Sequence, residues 1–150
     1  MTKQYKQVLD KLAEIALSGT SESIVDSVYE VASVARSYPL TIIDPLYKNH
    51  TYQNGMLNLN VDLYFVDLTY QDRLNELDVI SDMVSTAIPY VNYLRDQEDT
   101  LGFYFRKDTG SVINFETFHM KWVDFVAGVK LTLNISIPDN GDLCKNIFNK

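Results

Sequence analysis

Between residues 127 and 137 every second side chain is apolar: Ala127, Val129, Leu131, Leu133, Ile135 and Ile137 alternate with Gly128, Lys130, Thr132, Asn134 and Ser136. Successive side chains of an extended strand point to opposite faces, so this stretch predicts a strand with one face in the core. Pro138 stops it, and Asp139-Asn140-Gly141 begins a polar tail. A second segment has the same period: Leu57, Leu59, Val61, Leu63 and Phe65 point one way, and Asn58, Asn60, Asp62 and Tyr64 point the other, onto a face expected to be wet. Just before it stands Asn54-Gly55, the strongest turn signal in the chain, since a type I′ turn needs positive φ at both central residues. It predicts a hairpin between residues 46–53 and the strand that follows.

Two stretches carry the helical period instead. Val8, Leu12, Ile15 and Ala16 form an apolar stripe over Thr2 to Leu17, which Gly19 ends. Leu77, Ile80, Val84, Ala87, Val91 and Leu94 mark a longer helix from Asp72 to Arg95, about 36 Å long at 1.5 Å per residue. Pro89 lies inside it and predicts a kink or break near Ala87, while Asp72, Glu76 and Asp78 favour its positive end. The remaining signals are shorter. A strand is expected at Val28 to Glu30 and another at Leu40 to Ile43, opened by Tyr38-Pro39 and broken by Asp44-Pro45. Leu101 to Arg106 and Val112 to Phe118, around Thr109-Gly110, predict a second hairpin. With no repeat, low-complexity tract or linker, residues 1–150 form one α+β domain: an N-terminal helix, a mostly antiparallel sheet with hairpins, and one long helix packed on the sheet.

Composition narrows the class of function. At 150 residues, 46% of them hydrophobic, the chain is long enough to bury about 68–70% of its unfolded surface. A formal net charge of −7 argues against a nucleic-acid-binding surface, where Lys and Arg must neutralise phosphates. A single cysteine, Cys144, excludes an internal disulfide and a Cys-based zinc cluster and suits a reducing cytosol. No apolar run approaches the roughly 20 residues of a membrane span, and charges at Lys3, Lys6, Asp10, Lys11 and Glu14 leave no room for a signal-peptide core.

No catalytic motif emerges. His50 and His119 have no carboxylate or cysteine at metal-ligand spacing, so both are expected to be surface histidines, and Cys144 an inert thiol near the terminus. Six scattered glycines provide neither a phosphate loop nor GxSxG. The acidic residues Asp62, Asp67, Asp72, Glu76, Asp78 and Asp82 are explained by helix capping and solubility. No catalytic, cofactor-binding or metal residue is assigned. Tyr47, Tyr52, Tyr64 and Tyr70 cluster around the first hairpin, and tyrosine is enriched where proteins meet as well as in half-buried strands.

The order of these elements resembles the small tail-terminator and neck-ring (head–tail connector) proteins of tailed bacteriophages, above all those of the crAss-like group and related phages of Bacteroidetes. The residues carrying the resemblance are Tyr38-Pro39-Leu40, Leu63-Tyr64-Phe65-Val66-Asp67, Asp72-Arg73-Leu74-Asn75-Glu76 running to Val79-Ile80-Ser81-Asp82, Asp124 to Val129, and Cys144. The resemblance implies a non-enzymatic virion protein, assembled in the bacterial cytoplasm. It would form a ring of copies next to portal, connector or tail proteins, with DNA passing through the lumen without sequence-specific binding. Heterologous contacts close into rings when the rotation allows, and an acidic lumen lets DNA slide. The exposed loop tips and helix starts expected to make subunit contacts are Tyr47, Lys48, Tyr52, Asp72, Arg73, Arg106 and Lys107. Two alternatives stay open: a small enzyme or ligand-binding domain using Asp62 or Asp67 with a histidine such as His119 between helix and sheet, and an adaptor that binds one partner as a monomer.

Overall fold

A computed structural model describes residues 2–34, 36–46, 48–97, 104–105 and 114–138. Its elements in chain order are α1 (Thr2–Ala16), β1 (Glu22–Val25), α2 (Val28–Ala32), β2 (Leu40–Asp44), β3 (Thr51–Gln53), β4 (Met56–Leu68), α3 (Glu76–Asp96), β5 (Tyr104–Phe105), β6 (Phe115–Lys121) and β7 (Phe125–Pro138). The fold is the expected α+β arrangement, with α1 and the long α3 over one face of the sheet.

The two strictly alternating segments are the central strands. β4 pairs antiparallel with β7 along its whole length, from Met56 opposite Pro138 to Leu68 opposite Val126. β2 and β3 then lie in line along the other edge of β4, while β5 and β6 lie in line along the outer edge of β7. Seven strands therefore make a sheet five strands wide, with β1, parallel to β2, at one end and β6 at the other. The odd-numbered residues of β4 and β7 meet Val8, Leu9, Leu12 and Ala16 of α1 and Val79, Met83, Ala87, Tyr90, Val91 and Leu94 of α3 in the main core. The Tyr90 ring lies edge-on to Phe65, and its hydroxyl donates to the Leu12 carbonyl (3.0 Å), tying α3 to α1. Asn54 and Gly55 both have positive φ, 56° and 74°, as the type I′ turn between β3 and β4 requires.

Several expectations are corrected. Val28 to Glu30 is the start of a helix, not a strand. The Ser27 hydroxyl accepts the Tyr29 amide and the Asp44 carboxylate accepts the Val28 amide, so the first turn is capped by its own residue and by β2. Among the described residues of the expected second hairpin, Tyr104–Phe105 (β5) and Phe115–Phe118 (β6) do not pair with each other, since β5 and β6 are collinear neighbours of β7. The hairpin observed is β6–β7, closed at Trp122–Asp124, where the Trp122 amide donates to the Asp124 carbonyl; Thr109-Gly110 lies outside the described residues. The arm before Asn54 pairs only over Thr51–Gln53. The long helix begins at Glu76 rather than Asp72, because Arg73 takes a left-handed φ of 66°. It is not broken at Pro89. That residue faces solvent, so the Ser85 carbonyl left without an amide partner sits on the wet side of the helix. Finally, the even-numbered face of β4 is not wet throughout. Tyr64 and Asp62 are each only 7% exposed: α2, Phe118 and Trp122 cover Tyr64 in a second core with Val31, Leu40, Ile42, Val66 and Val126, and the Lys48 and Lys130 side chains lie against Asp62.

Candidate subunit interface

The residues expected at subunit contacts do not gather in one patch. Tyr52 stands beside the β3–β4 turn, opposite Leu57, and Lys48 reaches the middle of β4 at Asp62, whereas Asp72 and Arg73 follow the far end of β4, about 36 Å from Leu57 at 3.3 Å per residue. Tyr47, Arg106 and Lys107 lie outside the described residues. Tyr52 is exposed on β3, and Asp72 turns its carboxylate back to accept the Leu74 amide (3.1 Å). Arg73 forms a bidentate pair with Glu76 (2.8 and 3.1 Å), which holds the Glu76 carboxyl below its ordinary range.

Lys48 belongs to a charged network on the α2 side of the sheet. Asp62 Oδ2 lies 2.9 Å from Lys48 Nζ and 3.7 Å from Lys130 Nζ, and Asp62 Oδ1 accepts the Thr132 hydroxyl at 2.7 Å. Burial pushes the Asp62 carboxyl up, but the bonds from Lys48 and Thr132 and the charges of both lysines outweigh it and hold the group below its usual value. Beside this network Val28, Ala32, Tyr64, Phe118, Met120 and Trp122 line a cleft of about 450 Å³. Burial, reinforced by Asp62, pushes the Tyr64 phenol up to about 12, so it stays a neutral hydroxyl.

The alternative acid–base pairings can be placed as well. Asp62 and His119 emerge on opposite faces of the sheet, so they do not converge. Asp67 shares the His119 face, but Ala127 of β7 stands between them, putting two strand spacings, about 10 Å, across the pair. Both histidines are half-buried: the His50 Nδ1 accepts the Asn60 amide and its Nε2 lies 3.1 Å from the Tyr5 hydroxyl, and the His119 Nε2 is buried without a partner.

Sequence patterning did not expose the two ends of the sheet. Among the described residues neither β1 nor β6 has a strand on its outer side, which leaves a row of backbone N–H and C=O groups at each end. Apolar side chains stand open around the β6 end and along α3: Leu77 is 78% exposed, and Ile88, Phe115 and Met120 are exposed too. Leu74, just before α3, is 82% exposed. The helical period predicts Leu77 on the apolar stripe of the long helix, but the buried stripe is Val79, Met83, Ala87, Tyr90, Val91 and Leu94, and Leu77 lies off it with Ile88, three turns further on. No helix of the described residues is long and apolar enough to cross a membrane. No protein-family model matches the chain, and no curated protein is similar to it.

Proposed function

We propose that the chain is a ring-forming structural subunit of a tailed-bacteriophage virion, placed at the neck or the end of the tail, with DNA passing through its lumen. The observation that carries this reading is the sheet open at two unlike ends, β1 and β6. A ring needs a heterologous contact, in which two different surfaces of one subunit meet their counterparts on its neighbours, and a sheet with two different free edges supplies such surfaces. The exposed Leu74 and Leu77 add apolar area of the kind that subunit contacts cover. The negative charge of the chain suits a conduit better than a clamp, because phosphates are repelled rather than gripped. Its immediate partners are copies of itself and the adjoining portal, connector or tail proteins, and its place is the virion, assembled in the bacterial cytoplasm.

Native mass across a concentration series, followed by negative-stain imaging, tests the proposal. Closed rings with a hole wider than about 20 Å, enough for duplex DNA with its roughly 12 Å major groove, are expected. A chain that remains monomeric at millimolar concentration and in the presence of assembled particles lacking it would overturn the reading.

A further inference from the structure

The two open ends of the sheet fit one another in direction, level and face. β6 is antiparallel to β7, β7 to β4 and β4 to β2, while β1 is parallel to β2. β1 and β6 therefore run in opposite directions, and a second copy set beside the first in the same orientation brings its β1 antiparallel to β6. Their levels also agree. One row of the sheet runs Ile24, Ile42, Tyr64, Lys130, Glu116, and the next runs Val25, Ile43, Leu63, Leu131, Phe115. The four residues of β1 thus stand opposite residues 115–118 of β6 with no slip along the strands. Residues in one row share a face, so Ile24 emerges with Glu116 on the α2 side and Val25 with Phe115 on the side of the long helices.

The layers above the strands match too. α1 packs over β1 and β2, whereas α3 packs over β7 and β4. Edge-to-edge addition places α1 of the next copy beside α3, over Leu77 and Ile88, and brings up Leu17, itself exposed. A strand can pair with the whole row of hydrogen-bonding groups on an open strand edge, and a second copy offers one at the right level, direction and face.

From this match we infer that copies join edge to edge, β6 of one against β1 of the next, in one continuous sheet around the ring. The contact rests on the ring-forming role proposed above and specifies which surfaces make it.

Paired cysteines in a Cys144→Ser background test the contact. Ile24→Cys with Glu116→Cys occupies one row, and Val25→Cys with Phe115→Cys the adjacent row. Adjacent rows alternate between wider and closer cross-strand pairs, so one of the two brings its thiols within disulfide range. Mild oxidation is expected to give a ladder of covalent dimers, trimers and higher species from at least one of these double variants. A mixture of the two single variants of that row should stop at dimers, and Ile24→Cys with Thr117→Cys, whose side chains lie on opposite faces, should give no ladder. Rings by native mass with no ladder from either row would overturn the edge pairing and leave the ring-forming role standing, as would an equal ladder from the opposite-face pair. Monomers throughout, with no ladder, would overturn both.

Discussion

Replacing Gly128 by alanine puts a methyl group where the backbone of a neighbouring strand already stands. Gly128 is the fourth residue of β7, between strands on both sides, opposite Val66 on β4 and Phe118 on β6. A Cβ built there falls 2.0 Å from the Phe65 carbonyl oxygen and 3.0 Å from the Phe65 carbonyl carbon and Val66 Cα. A carbon needs about 3.3 Å from a carbonyl oxygen, so β4 and β7 must separate locally by about 1.3 Å. Both strands are pinned by the cores on either face, so the strain cannot be relieved by turning a side chain. Overpacking of this kind costs about 1–3 kcal/mol, and each weakened ladder hydrogen bond adds about 1 kcal/mol, giving a loss near 3 kcal/mol. For a chain of this size that corresponds to a drop in Tm of about 6–12 °C. Gly55→Ala is the matched comparison. Nothing lies within 4 Å of the added methyl there, but φ is +74°, so the cost of about 1 kcal/mol is purely conformational. Urea unfolding followed by Trp122 fluorescence measures both. A Gly128→Ala variant within about 0.5 kcal/mol of the parent, or one less destabilised than Gly55→Ala, would refute the close-approach argument.

Three further outcomes follow from the same geometry. Asp62→Asn leaves Lys48 and Lys130 without the carboxylate they share and should cost about 1–2 kcal/mol, read as a lower urea midpoint at pH 7, whereas Thr132→Val should cost less. Burial lowers the His50 pKa, with a bond to the Pro45 carbonyl partly opposing it, so the unfolded chain takes up that proton first. Stability is then full above about pH 6.5 and declines as pH falls through the lower folded-state value; His50→Gln should flatten urea midpoints measured between pH 7.5 and 5.5, and an unchanged slope would exclude His50 as the source. Tyr90→Phe keeps the ring against Phe65 but loses the hydroxyl bond to Leu12, a cost of about 1 kcal/mol that should appear as faster hydrogen exchange in α1.

Elements with a long, clean period were legible in the sequence: β4, β7, α1 and α3 each repeat their pattern often enough to identify the type, and Asn54-Gly55 fixed one turn. What escaped was decided by tertiary contacts. Glu22-Ser23-Ile24-Val25 is too short to show alternation and is a strand because β2 stands beside it. Val28 to Ala32 is helical because a carboxylate from β2 and the Ser27 hydroxyl take its first amides, and neither partner is visible as a period. The β6–β7 turn at Trp122-Val123-Asp124 contains no glycine, so the glycine at position 110 attracted the expected turn instead. The interface residues were chosen as loop tips, yet Lys48 and Arg73 are engaged within the chain. The open strand edges came from topology, which patterning along a single segment does not reveal.

The full-length pairing of β4 with β7 also sets the order in which this protein comes into being. β4 is translated well before its partner, and the ladder that begins with Leu68 opposite Val126 is finished only when Met56 meets Pro138. A nascent chain that has reached the end of α3 holds a long alternating strand with one edge unclaimed and lacks the six β7 side chains of the main core. Closing so distant a pairing carries a large loop entropy and makes folding slow. During synthesis β4 is therefore the segment most exposed to wrong strand partners, β4 of a neighbouring nascent chain included, and emergence of β7, rather than of the first half of the chain, is the event that lets the domain fold.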